Sequence, residues 1–252
     1  MKRSSEKKFK GTKPSSFYSK DYFLNADGSM YGKKHDDGRY RFCPYTAEYQ
    51  IAPQTRHSES IVKNLHPTTA IVLGCARGYR VKALRELGVD AIGVDISEWA
   101  IENCEPSVKE YVYCGDVCDL SMWDDKSFDI VLGLDVLEHI RVPDLYTAID
   151  ECTRVSTLVY LGLPLAKNDD NPDVSNEEER SHVSVYSIDW WVNQFFKRGF
   201  VPIQVYFFNK RRNANILLAD VIPSKRYMVI RDKGFYKLVK LYETKGVSSH
   251  GN

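Results

Sequence analysis

The sequence predicts a three-layer α/β fold: a doubly wound, mainly parallel sheet between helices, closed at one edge by an antiparallel hairpin. Three observations carry that reading. Strand-length apolar runs alternate with helical segments over most of the chain, the pattern of a parallel sheet whose crossovers are helices. The first such run, Ala70-Ile71-Val72-Leu73, drops into a turn of small residues, Gly74-Cys75-Ala76-Arg77-Gly78. The last two runs, Phe200 to Phe208 and Asn215 to Ile222, are joined only by the polar turn Asn209-Lys210-Arg211-Arg212-Asn213. A connection that short can join only antiparallel strands.

The elements follow in order. Ser58 to Leu65 reads as a short helix, Ala70 to Gly74 as the first strand, Tyr79 to Leu87 as a helix and Ala91 to Asp95 as the second strand. Then come helix Glu98 to Asn103, strands Tyr111 to Cys114 and Phe128 to Leu134, helix Leu145 to Arg154 and strand Thr157 to Leu163. A late helix carries Trp190, Trp191, Phe195 and Phe196 at helical spacing, which predicts core packing. The polar segment Ala166 to Ser181 follows a strand's carboxyl end, so it is either a lid over a cleft or a solvated loop. Three regions result: a basic, aromatic N-terminal extension and cap over 1–55, a central domain over 56–222, and a basic C-terminal extension over 223–252.

A strand that ends in small residues, followed by a second strand tipped with a carboxylate, suits a nucleoside-bearing cofactor. Glycines let the turn adopt conformations that side chains forbid and let the ligand lie on bare backbone. Asp95 at the second tip is placed to accept hydrogen bonds from ribose hydroxyls. In G-x-G-x-x-G dinucleotide binders a third small residue packs the helix near a pyrophosphate; here Tyr79 stands at that position. The turn spacing and the terminal hairpin both oppose a nicotinamide oxidoreductase.

The small-residue spacing resembles that of class I S-adenosylmethionine-dependent methyltransferases, and three more segments agree. Val112-Tyr113-Cys114-Gly115-Asp116-Val117 is similar to that family's third-strand motif. Phe128-Asp129-Ile130-Val131-Leu132-Gly133-Leu134-Asp135-Val136-Leu137-Glu138-His139 resembles the fourth strand and its sequel in the methyltransferase type 11 group. His182-Val183-Ser184-Val185-Tyr186-Ser187, leading into Asp189-Trp190-Trp191, is similar to the late helix of that group. The resemblance covers roughly residues 56 to 222. It implies a Rossmann-like seven-stranded sheet and S-adenosyl-L-methionine as cofactor, held by Gly74, Cys75, Ala76, Gly78, Asp95, Ile96, Asp116, Val117 and Leu134. Two positions depart from the family pattern. Val72 stands where an acidic residue usually anchors the cofactor's methionine end, and Ala76 replaces the central glycine, with a side chain small enough to fit.

Such an enzyme aligns a nucleophile with an already activated methyl group and excludes water, and it needs a base only where the acceptor must lose a proton. The candidate catalytic residues are Asp135, Glu138 and His139, expected on one helical face. Three readings stay open for them: orienting the cleft by hydrogen bonds, general-base catalysis by His139, or a metal set completed by His182. The last rests on a resemblance to the E-x-x-E-H element of small-RNA 3′-end and some quinone O-methyltransferases.

Composition sets the remaining bounds. The chain has 252 residues, 43% hydrophobic and 27% charged, and a formal net charge of +1 that conceals a division. Eleven Lys and Arg stand against five acids from Met1 to Arg41, and seven against two from Ile222 to Asn252. Basic ends of this kind are either solvated tails or contacts for an anionic partner. The N-terminal aromatics Phe17, Tyr18, Tyr22, Phe23, Tyr31, Tyr40, Phe42, Tyr45 and Tyr49 predict a cap packed on the domain. No apolar run is long enough to span a membrane, and six scattered cysteines without a C-x-x-C pair suit reduced thiols in a cytoplasmic protein. Cys75 reads as a small buried filler. The methyl acceptor is an oxygen, nitrogen or carbon on a small molecule, glycan or lipid; the alternatives are an RNA acceptor, suggested by the basic ends, and a non-catalytic scaffold, suggested by Val72.

Overall fold

A computed structural model describes residues 13–24, 43–166, 181–208, 213–221, 227–232 and 235–240. Its centre is a seven-stranded sheet of β1 (Thr69–Leu73), β2 (Asp90–Asp95), β3 (Val112–Cys114), β4 (Phe128–Leu134), β5 (Ser156–Pro164), β6 (Phe200–Phe208) and β7 (Asn213–Asp220). The spatial order is β3-β2-β1-β4-β5-β7-β6. β1 to β5 pair in parallel, and β7 pairs antiparallel with both β5 and β6. The three-layer Rossmann-like expectation therefore holds, terminal hairpin included. Because successive crossovers leave β1 in opposite directions, towards β2 and towards β4, the sheet opens a crevice at the carboxyl end of β1.

Alternation along the strands sorts the core onto two faces. Ile71, Leu73, Val131, Val159 and Leu161 face α5 (Asp144–Val155) and α6 (Ile188–Phe196), where Ile149, Cys152, Trp191 and Phe195 are fully buried. Ala70, Val72, Ile130, Leu132 and Leu158 face α2 (Ala47–Leu65) and α3 (Tyr79–Glu86). Core packing of the late helix is thus right for Trp191 and Phe195. Phe196 is exposed, and Trp190 lies flat on Tyr186 with ring centroids 3.7 Å apart.

Three elements differ from the sequence reading. Helix α2 begins at Ala47 rather than at Ser58 and runs through Pro53, whose missing N–H removes one bond that packing on α3 outweighs. β7 occupies Asn213–Asp220, two residues earlier than expected, because its partner on β5 ends at Pro164 opposite Asn213. The C-terminal extension contains an antiparallel pair, β8 (Tyr227–Asp232) and β9 (Phe235–Lys240), with Asp232 opposite Phe235. Short helix boundaries agree because capping is legible: Ser187 and Ser97 accept the backbone N–H of Trp190 and Ala100 to start α6 and α4 (Glu98–Glu102).

All six cysteines are free thiols. Among the described residues no helix is long and apolar enough to cross a membrane. The expected lid falls mostly on residues 167–180, and most of the basic end residues fall on 1–12, 25–42, 222–226 and 241–252, all outside the described residues.

Candidate active site

The crevice is built from the turn after β1. Gly74, Ala76 and Gly78 all take left-handed backbone, with φ of +56°, +48° and +78°. At Gly78 a Cβ would also lie 2.9 Å from Val108 Cγ2, so glycine is required there on two counts. Alanine at position 76 fits by size, as expected, but it holds a conformation that costs an L-residue about 1–2 kcal/mol. The Cys75 side chain turns inward, 3% exposed, and burial with the nearby Asp95 carboxylate pushes its thiol well above the usual range. It is a packing residue beneath the turn whose N–H donates to Val94 O at 3.0 Å.

Asp95 ends β2 beside that turn. Oδ2 accepts the Ala76 N–H at 2.7 Å and Oδ1 accepts the Ser97 N–H at 2.8 Å. Burial raises its pKa, and the two backbone donors work against that rise. Each oxygen keeps acceptor capacity beyond the bond it makes. Ile96 is half-buried next to it, and Leu134 is half-buried at the end of β4. Beyond the tip of β3, Asp116 is exposed and accepts the Cys118 N–H at 2.8 Å, while Val117 beside it is buried. The nine residues expected around a cofactor lie at the turn and at the tips of β2, β3 and β4, with the Cys75 side chain turned into the core.

Residues 13–24 and 43–50 lie across this crevice. Phe23, in α1 (Lys20–Leu24), packs against Ala76 and Ala100 and stacks on Trp99 at 5.6 Å between centroids. Tyr18 reaches both walls: its carbonyl accepts from Ser97 Oγ at 2.5 Å, and its ring meets the His139 ring edge-on at 6.2 Å. The Arg77 guanidinium donates to the Tyr45 carbonyl at 3.3 Å and to the Asn103 carbonyl at 2.7 Å, tying the cap to the turn.

The second group of candidates follows β4. Asp135 leaves the strand in a left-handed conformation, φ +56°, and is exposed; Leu137–His139 then forms one 3₁₀ turn. The expected single helical face for Asp135, Glu138 and His139 is therefore wrong, because no helix spans them. Glu138, His139 and His182 do converge: one ligand atom from each lies within 4.8 Å of the others, and Asp135 is not in that group. His182 is brought in by main-chain bonds, since Val183 N–H and Ser184 N–H both donate to the Glu138 carbonyl at 2.9 Å. Its Nε2 stands 3.7 Å from Glu138 Oε1, and its ring is 4.9 Å from that of His139.

Electrostatics make this group unusual. The Glu138 side chain is fully buried. Burial lowers the His139 pKa to about 4, against hydrogen bonding of the ring to the backbone carbonyls of Ser181 and Asp135, which favours the proton. Burial and then the facing His139 lower His182 to about 3. Both imidazoles are neutral near pH 7, so each offers a lone pair. The sequence held the signal for His182, but the 3₁₀ turn that frees Glu138 to face it had none.

Residues 71–157 match the family model described as a methyltransferase domain. A curated relative, the ubiquinone biosynthesis O-methyltransferase of Methylococcus capsulatus, is 33% identical over 93 residues, which cover 34% of this chain and 38% of that protein. The match thus spans well under half of the curated relative. Among solved structures, a SAM dependent methyltransferase from Archaeoglobus fulgidus superposes with a TM-score of 0.56 at 18% identity, covering 67% of this chain and 93% of that one. The Burkholderia thailandensis 1,6-didemethyltoxoflavin-N1-methyltransferase, solved with bound 1,6-didemethyltoxoflavin and S-adenosylhomocysteine, gives 0.52 at 14% identity, covering 70% and 80%. At these identities the two structures are alike in fold.

Proposed function

We propose that this chain, whose residues 71–157 match a methyltransferase domain, transfers a methyl group from S-adenosylmethionine to an oxygen, nitrogen or carbon acceptor on a small molecule, glycan or lipid. The observation that carries this reading is the turn Gly74–Gly78 at the switch point of the sheet, left-handed at Gly74, Ala76 and Gly78 and clamped to Asp95. The sulfonium cofactor, when bound, supplies a methyl group that is already activated. The residues of the chain have the remaining tasks. Asp95 and Asp116 offer acceptor oxygens to the nucleoside, and Ile96, Val117 and Leu134 give it apolar walls. The cap, through Tyr18, Phe23 and Tyr45, keeps water from the crevice. His139, neutral at working pH and on the β4 side of the turn, takes a proton from an acceptor hydroxyl or amine at its imidazole.

Titration calorimetry with S-adenosylmethionine and S-adenosylhomocysteine tests the reading. Binding of both supports it, and binding of neither leaves only a scaffold role. Incubating a metabolite extract with isotopically labelled methyl donor then identifies the acceptor by which molecule gains label. Label on RNA moves the acceptor to that class.

The convergence of Glu138, His139 and His182 favours a second reading for the same corner: a divalent cation held by one carboxylate and two neutral imidazoles, with Asp135 as an outer neighbour. A cation there would offset the buried Glu138 charge. Manganese titration into the metal-stripped chain, followed by calorimetry and by thermal melting, separates the two. A manganese-dependent rise in melting temperature that Glu138→Gln abolishes supports the cation, and the absence of any heat or shift leaves His139 as a free base.

A further inference from the structure

Behind the cofactor turn, three polar side chains from three elements meet without belonging to the machinery above. Arg80 lies in the first turn of α3, His57 in the middle of α2 and Tyr160 on β5. Arg80 Nη1 stands 3.3 Å from His57 Nδ1, and His57 Nε2 stands 3.1 Å from Tyr160 Oη. A guanidinium can only donate, so Nδ1 is the acceptor and the imidazole proton sits on Nε2, donated to the phenol oxygen. His57 therefore holds one edge of the guanidinium and fixes its direction. The same charge and burial keep that imidazole neutral, with a pKa lowered to about 4.

Among the described residues, the hydrogen-bond partner of the guanidinium is His57 alone. Arg80 is half-buried, and among the described residues no carboxylate lies within ion-pair distance of it. Burial lowers its pKa, and the titratable groups facing it are the neutral phenols Tyr45 of the cap and Tyr160 of β5, with the Asp135 carboxylate at the exit of β4. Tyr45 belongs to the cap across the crevice, and Asp135 follows the tip of β4. A desolvated cation with a fixed plane and spare paired donors is the arrangement that receives a planar anion by two parallel hydrogen bonds.

We infer that Arg80, aimed by His57 and Tyr160, is a carboxylate-recognition residue of the active-site crevice. This rests on the reading of Gly74–Gly78 as the cofactor turn for its place in the reaction. The carboxylate comes either from the amino-acid end of the cofactor or from the methyl acceptor; the chemistry of recognition is the same.

Calorimetry on the full chain distinguishes these sources with three ligands: S-adenosylhomocysteine, 5′-methylthioadenosine, which lacks the amino-acid end, and benzoate added with S-adenosylhomocysteine present. If the cofactor is the source, Arg80→Gln weakens S-adenosylhomocysteine by about tenfold or more and leaves 5′-methylthioadenosine within about twofold, with Arg80→Lys between, since it keeps the charge and loses the fork. If the acceptor is the source, both nucleosides bind Arg80→Gln as they bind the wild type, and only the wild type takes up benzoate. An equal loss for the two nucleosides, or no change with any of the three ligands, overturns the assignment. Should Arg80→Gln melt early, Arg80→Lys carries the same comparison. A wild-type chain that binds benzoate through Arg80 but neither nucleoside removes the cofactor reading and keeps the carboxylate site.

Discussion

The Asp95 carboxylate accepts the backbone N–H of Ala76 at 2.7 Å, joining the tip of β2 to the centre of the turn after β1. This bond holds a non-glycine residue in left-handed backbone. Two opposing consequences follow for mutation. Removing the carboxylate releases two backbone donors, so Asp95→Ala is expected to cost about 1–3 kcal/mol of stability and to weaken S-adenosylhomocysteine by a comparable amount. Replacing Ala76 by glycine removes the left-handed strain and adds chain entropy on unfolding, for a net gain of about 0.5–1 kcal/mol. Denaturant midpoints together with calorimetry check both, and an Asp95→Ala chain with unchanged affinity would show that the carboxylate serves the turn alone.

A cap held by few contacts is expected to open before the core does. Phe23 contributes the main apolar anchor, against Ala76, Ala100 and Trp99. Phe23→Ala is expected to speed proteolysis within residues 13–24 and the release of S-adenosylhomocysteine, while the denaturant midpoint of the sheet domain changes little. Limited proteolysis with and without ligand measures the first effect and stopped-flow displacement the second. A midpoint that falls with the proteolysis rate would mean the cap unfolds with the core.

What the sequence made legible depended on period and on turn chemistry. β4 and β6 match their expected limits because strongly apolar runs end abruptly in polar residues. The start of α2 was hidden because Pro53 and the polar stretch around it carry no apolar stripe; contact with α3 decides it. At the site, residues of the turn and of the strand tips could be named because glycine and carboxylate positions follow from backbone demands. The arrangement after β4 could not: a helical spacing was read through Asp135, whose left-handed φ turns the chain before any helix forms. Arg80, His57 and Tyr160 are far apart in sequence and share no spacing rule, so only the packed fold brings them together.

Half-buried neutral histidines make stability depend on acid. His57 and His139 titrate at about 4 and His182 at about 3 in the folded chain, all lowered mainly by burial. Each takes a proton near pH 6.5 once unfolded. The unfolded state therefore binds more protons below that pH, so the stability they contribute is complete above about pH 6.5 and is lost as the pH falls towards 4. Urea midpoints measured from pH 7.5 to 4.5 should decline across this window, and His57→Gln should flatten the decline. A constant midpoint would mean these rings are solvated.

His139 separates binding from chemistry. It stands beyond the end of β4 against Tyr18 and His182, on the other side of the turn from Asp95 and Asp116. On the function proposed above, a group there meets the acceptor, so His139→Ala is expected to leave S-adenosylhomocysteine affinity within about twofold while turnover falls by about 10²-fold, the scale of a lost general base. The exposed Asp135 lies outside the Glu138 and His182 group, so Asp135→Asn should lower turnover by less than His139→Ala does. Single-turnover methyl transfer beside equilibrium binding makes the comparison. If His139→Ala loses affinity and turnover in equal measure, the ring serves to support the crevice, and the proton must leave by another group.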